Sequence, residues 1–145
     1  MKTVETAAEE RLQVKKENII TMPLGLLGFE HVKKFVLLVN PDEEPFMWLQ
    51  MLDQASQGFV VATPASVIGD YSPDISAQDI EFLGIRTPAD ALLLNIVTVR
   101  GNEATVNLKG PIVVNRNTLV AKQCIPVNVA SFSLQQPIAS LPVAA

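Results

Sequence analysis

Cysteine and histidine are almost missing from this chain: Cys124 and His31 are the sole residues of their types among 145. A lone cysteine excludes an internal disulfide, and the Cys- and His-rich ligand sets of zinc sites are excluded with it. Cys124 and His31 lie far apart, so no local pattern supports a Cys–His nucleophile pair. Cys124 falls within the apolar alternation of a β-prone segment and reads as a small core residue. His31 follows Glu30 at the exit of a turn and reads as a surface side chain.

Basic stretches are scarce as well. Eleven Lys and Arg stand against fifteen Asp and Glu, for a formal net charge of −4. The paired lysines Lys15-Lys16 and Lys33-Lys34 form no stripe. Phosphate neutralisation by Lys and Arg is the basis of nucleic-acid affinity, so no direct nucleic-acid partner is expected. Long hydrophobic runs are missing too, which argues against a membrane partner. Met1 to Val14 lacks the charged start and apolar run of a signal peptide, so a cytoplasmic setting is expected. Gly25 and Gly28 are not followed by Lys-Ser or a helix, so no phosphate loop is present. Asp42-Glu43-Glu44 lacks the spacing of a calcium loop and reads as a solvated turn. Asp70, Asp74, Asp79 and Glu81 surround one helix start, where the helix dipole favours acids. These exclusions lead to the expectation of no metal, no cofactor and no enzymatic activity.

What is present is apolar and β-prone. Apolar residues make up 48% of the chain, enough for one domain with a self-sufficient core. Short β-prone segments run over Asn18–Met22, Phe35–Val39, Phe46–Leu52, Phe59–Ala62, Ala91–Val99, Ala104–Leu108, Ile112–Asn115 and Leu119–Ile125, separated by Pro, Gly and Asn turn signals. Ala91–Val99 is apolar throughout except at Asn95 and Thr98, which predicts a central strand covered on both faces. Trp48 alternates with Phe46 and Gln50, and its large apolar area predicts burial. One helix is predicted over Ser76–Leu83, with Ser76 as N-cap, Asp79 in the reciprocal capping position and Gly84 as its stop, lying across an opening of the sheet. The fold expected is all-β: a small antiparallel β-barrel-like structure with one short helix. Residues 1–12 read as a flexible N-terminal tail and residues 13–145 as a single domain.

Two segments carry the functional signal. Pro23-Leu24-Gly25-Leu26-Leu27-Gly28-Phe29-Glu30 is a glycine-bracketed apolar turn, and Asn107-Leu108-Lys109-Gly110-Pro111-Ile112-Val113-Val114-Asn115 sets apolar residues beside Gly-Pro. Such loops suit close backbone packing or a docked protein. With Glu44-Pro45-Phe46-Met47-Trp48-Leu49-Gln50 and Phe59-Val60-Val61-Ala62-Thr63-Pro64 between them, these segments resemble, in order and spacing, the motifs of the flagellar assembly factor FliW family. The resemblance runs from about Gln13 to Ile125. It departs at Leu26-Leu27, where the family usually has Ile-Pro, and at Gly110-Pro111, where Ala-Pro is usual. The segment Ser131–Ile138 diverges further, and no family contacts are transferred to it.

The resemblance implies a non-enzymatic β-barrel-like protein that binds the translational regulator CsrA and flagellin. It would antagonise CsrA repression of flagellin messenger RNA and act as a flagellin chaperone. Motif position and expected exposure then assign a partner surface to Leu24, Leu26, Phe29 and Glu30, together with Asn107, Leu108, Pro111, Ile112 and Asn115. The same residues also suit the closing of a barrel end, and the sequence leaves both roles open. An alternative function is a β-barrel that binds a small ligand or works as an enzyme with converging carboxylates, which requires a roomy interior with a few polar groups. An oligonucleotide-binding barrel is already disfavoured by charge.

Overall fold

A computed structural model describes residues 18–52 and 57–138. Nine strands follow in chain order: β1 Ile19–Thr21, β2 Lys34–Val39, β3 Met47–Met51, β4 Gly58–Ala62, β5 Ala91–Arg100, β6 Glu103–Val106, β7 Ile112–Asn115, β8 Ala121–Gln123 and β9 Gln136–Pro137. Two α-helices lie between β4 and β5: α1 Pro64–Val67 and α2 Ala77–Leu83. Every ladder is antiparallel. The all-β expectation therefore holds, with one more α-helix than the sequence suggested and 3-10 turns at Pro41–Glu43, Pro88–Asp90 and Val129–Ser131. Residues 1–12, expected to form a tail, lie outside the described residues.

Strands β1 to β5 lie side by side in chain order; short turns bring β2, β3 and β4 alongside one another, whereas the connection from β4 to β5 carries both helices. β5 is long enough to serve two partners. Its first half pairs with β7, Leu94 opposite Ile112, and its second half pairs with β6, Val97 opposite Val106. β8 then adds to β7. The sheet curls toward closure without completing it. Between β1 and β8 there is one isolated parallel bridge, Thr21 to Val120, with the Thr21 amide donating to the Leu119 carbonyl at 2.9 Å.

The curled sheet encloses the main core, built from Met22, Leu26, Val32, Phe35, Leu49, Met51, Val61, Leu94, Ile112 and Val114 with their neighbours. Its alternation follows from the period of two: Leu92, Leu94 and Ile96 face inward from β5. The opposite face of β5 carries two smaller clusters. Val97 packs with Ala62, Val106, Leu108 and the α1 region, while Leu93 packs with Leu83, Val113 and Cys124 beneath α2. Both faces of β5 are thus covered, as its near-continuous apolar run predicts. The helix α2 lies against the outer face of this sheet and not across an opening in it, because Leu83 finds its apolar partners on β7 and just past β8.

Trp48 is half-buried. Its indole Nε1 donates to Gln50 Oε1 at 2.7 Å, and the ring covers Gly58 on the neighbouring strand. A Cβ at Gly58 would lie 2.4 Å from the Leu49 carbonyl oxygen and 2.8 Å from the indole ring, so only glycine lets the tryptophan settle onto the sheet. Gly58→Ala is therefore expected to destabilise the protein by about 1–3 kcal/mol, the usual cost of overpacking. A lower urea midpoint in both circular dichroism and Trp48 fluorescence checks this, and an unchanged midpoint would refute it.

Candidate functional site

The connection from β1 to β2 folds back over the core and is held by its own hydrogen bonds. Gly25 adopts φ +69°, and a Cβ there would lie 2.6 Å from the Glu30 Cα, so the two limbs of the loop meet at backbone contact. The Phe29 amide donates to the Leu26 carbonyl at 2.7 Å, and the Val32 amide to the Phe29 carbonyl at 3.1 Å. Glu30 accepts from the Gly28 amide at 3.0 Å; this bond first, then one from its own backbone amide, holds its carboxyl below the ordinary value. Lys33 Nζ donates to the carbonyls of Pro23, at 3.0 Å, and Glu30, at 2.5 Å.

Within this loop the side chains divide sharply. Leu26 is 1% exposed and belongs to the core, and Phe29 packs edge-on against Phe59 with ring centroids 5.2 Å apart. Leu24 and Leu27 stand in water, at 51% and 78% exposure. The loop thus presents two leucines on a braced backbone, beside the exposed Glu30. Leu27 was not among the residues expected from sequence. The Leu26–Phe29 bridge turns Leu26 inward and its neighbour outward, a choice that two adjacent leucines do not announce.

The second expected segment is largely interior. Leu108, Pro111, Ile112 and Asn115 are buried, and Asn107 is partly buried. The two asparagines build turns. Asn107 Oδ1 accepts from the amides of Lys109 and Gly110 at 2.9 and 3.2 Å, and Asn115 Oδ1 accepts from those of Asn117 and Thr118 at 2.8 and 3.2 Å. Asn115 Nδ2 also donates to the Leu83 carbonyl at 2.7 Å, satisfying the C-terminal end of α2. On β5, Asn95 Nδ2 donates to the Asn107 carbonyl at 2.9 Å.

The two segments do come together, through a residue not singled out from sequence. Gln123 on β8 accepts from the Leu27 amide at 3.0 Å and donates to the Gly110 carbonyl at 3.1 Å, bridging the loop to the turn. Its chain neighbour Lys122 points the other way and forms an ion pair with Asp79 of α2, with its ammonium 5.9 Å from the Phe82 ring centroid. Asp79 did not return to the Ser76 amide as a capping box requires; Ser76 Oγ accepts from the Asp79 amide at 3.1 Å, while the carboxylate turns to Lys122. Burial works to raise the Asp79 carboxyl, yet the bonds from Lys122, Cys124 and Ser76 hold it below its ordinary value. Burial and the adjacent Asp79 charge push the Cys124 thiol up to about 12.

Among the described residues, no arrangement for acid–base or metal chemistry emerges. Asp79 is the one buried carboxylate among the described residues, and it is paired with Lys122 outside the main core. No group of three or more His, Cys, Asp or Glu suited to a metal is found among the described residues. The interior is filled by apolar side chains, which argues against the small-ligand barrel and its enzymatic variant. No described helix is long and apolar enough to cross a membrane.

A family model described as FliW protein matches residues 3–138 of the chain. A flagellar assembly factor FliW of Leptospira interrogans is 38% identical over 138 residues, spanning 93% of this chain and 91% of the relative. One from Bacillus licheniformis is 34% identical over 93% of this chain and 95% of its own length. Among solved structures, the crystal structure of the flagellar assembly factor FliW superimposes with a TM-score of 0.75 at 31% identity, covering 88% of this chain and 87% of the other.

Asn115→Ala removes the acceptor for two amides and the donor to the Leu83 carbonyl, and is expected to cost about 2 kcal/mol. Chemical denaturation checks this, an unchanged midpoint being the contrary result. The unfolded thiol loses its proton near the ordinary value of 9.0, before the folded one at about 12, so the unfolded chain gains on the native one as pH rises between those values. Stability contributed by the protonated Cys124 is accordingly intact below pH 9 and lost through about pH 12. Labelling with a thiol reagent at pH 8 is expected to follow unfolding; rapid labelling of the native protein would contradict the buried, protonated thiol.

Proposed function

The chain belongs to the FliW family, and from that premise we propose that it is a flagellar assembly factor that acts by binding proteins, not by catalysis. Its partners on this reading are CsrA and flagellin. Bound to the factor, CsrA is kept from repressing flagellin messenger RNA. Flagellin accumulating in the cytoplasm claims the factor, is chaperoned by it, and frees CsrA to stop further synthesis. No nucleic acid or membrane contact is needed.

The observation that carries this reading is the braced loop that holds Leu24 and Leu27 in water. Ordering a flexible loop on binding costs free energy, and this loop is already ordered by Glu30, Lys33 and Gln123. Two exposed leucines side by side on such a frame suit the apolar centre of a protein interface. Of the residues first assigned to the partner surface, Leu24 and Glu30 are exposed, with Phe29 partly so, and Leu27 joins them. Leu26, Leu108, Pro111, Ile112 and Asn115 hold the loop and turn in place from beneath. The net charge of −4 adds a negative field beside a docked RNA-binding protein, which disfavours the approach of phosphates.

Titration calorimetry with purified CsrA and flagellin tests the reading, and flagellin added to a preformed complex with CsrA is expected to displace it. Leu27→Glu is expected to weaken binding of a partner by at least about tenfold while leaving the melting temperature unchanged. Failure of the unmodified protein to bind either partner at micromolar concentration would overturn the function. Full affinity for both partners in Leu27→Glu would remove the loop from the interface.

A further inference from the structure

The tip of the β1–β2 loop hangs on one side chain. Leu26 to Phe29 is a tight turn closed by the Phe29 amide on the Leu26 carbonyl, with Gly28 at φ +88° in the third position, as in a type II turn. Leu27 holds the second position, whose amide takes no part in the closing bond. The amides of Gly25, Gly28, Phe29 and Val32 all find acceptors between Met22 and Glu30. The Leu27 amide crosses instead to Gln123 Oε1, 96 residues away in the chain. Among the described residues, this is the one hydrogen bond that ties residues 23–31 to a part of the sheet beyond β1 and β2.

Gln123 is itself gripped from the other end. Its Nε2 donates to the Gly110 carbonyl at 3.1 Å, so one carboxamide serves both partners. The bridge needs an acceptor on one side and a donor on the other, which fixes the orientation of the side chain: turned over, it would set an NH2 against the Leu27 amide and an oxygen against the Gly110 carbonyl. Gly110 is buried and offers no surface to a docked protein. A Cβ at Gly110 would lie 3.0 Å from Gln123 Nε2 and 3.5 Å from Asn107 Nδ2, so the crowding falls on the far end of a flexible side chain and spares the backbone.

We propose that Gln123 is a positioning residue for partner binding: gripped by Gly110, its carboxamide holds the Leu27 amide and so sets, from inside the protein, the affinity of the exposed leucines. The role rests on the protein-binding function above. With the carboxamide in place the turn is docked before a partner arrives. Without it the tip has to be ordered on binding, and that cost is subtracted from the affinity. A change at Gly110 reaches the partner only through Gln123.

The test uses the full chain with purified CsrA and flagellin, and follows by calorimetry the partner that Leu27→Glu weakens. Gln123→Glu keeps the size of the side chain but loses the donor to Gly110 and sets a negative oxygen against its carbonyl. Gly110→Ala keeps Gln123 and displaces its head group. Both variants are expected to melt like the parent, to speed hydrogen exchange of the Leu27 amide, and to weaken that partner about fivefold, the worth of about one hydrogen bond. In a double-mutant cycle, Gln123→Glu is expected to cost no further affinity once Leu27 is replaced by alanine. Should Gln123→Glu melt early, Gly110→Ala supplies the same readouts. Losses that add in the cycle would overturn the positioning role, because Gln123 would then touch the partner itself. Parental affinity in both variants, or indifference of both partners to Leu27→Glu, would also overturn it while sparing the function. If the unmodified chain binds neither protein, the function falls and the positioning role with it.

Discussion

The step from β6 to β7 is the constraint on which this structure turns. β5 serves two partners in succession, and the chain must leave one and reach the other within the residues between Val106 and Ile112. Asn107 makes the step by gathering the amides of Lys109 and Gly110 onto one side-chain oxygen, while Asn95 clamps its carbonyl from the strand below. Without that turn β7 could not return to the first half of β5. β8 would then have no strand to join, and the main core would lose Ile112, Val114 and Ala121. The partly buried amides make the turn specific as well as stable, since both converge on one side-chain oxygen.

From β8 the consequences spread to both sides of the sheet. Lys122 and Gln123 are consecutive, and the strand period sends them to opposite sides. Lys122 fastens α2 through Asp79, and Gln123 fastens the β1–β2 loop through the Leu27 amide. One short strand therefore positions α2 and the tip of the loop together. Both carry apolar side chains held in water by polar bonds made elsewhere.

Much of this was legible in the residues. The strands follow runs whose alternation and turn signals are local properties, and α2 starts at Ser76 and stops at Gly84 where capping chemistry requires. The single turn of α1 and the two-residue β9 were not legible: a four-residue helix carries no period, and β9 exists because Gln136 and Pro137 meet the edge of β6. The loop and the Asn107–Asn115 run were visible as motifs, but their division between core and surface was not. Leu26 and Leu27 are chemically identical, and only the long-range contacts of Phe29 and Gln123 decide which one is buried. Asn107 and Asn115 looked like surface contacts because asparagine is usually exposed; both are turned inward to bond backbone amides. Gln123 and Lys122 gave no local signal at all, since their roles rest on partners far away in the chain.

The single bridge between Thr21 and Val120 sets the mechanical character of the loop. Such a seam can part without unzipping any ladder, and β1 beside it is only three residues long. The loop thus leaves the sheet from its weakest joint and rejoins it at β2, one of its better-paired strands. Stiffness cannot reach its tip through β1. It is generated inside the loop, by Glu30, Lys33 and the Leu26–Phe29 bridge, and borrowed across the seam from Gln123. The exposed leucines can therefore keep their shape while the joint beside them breathes.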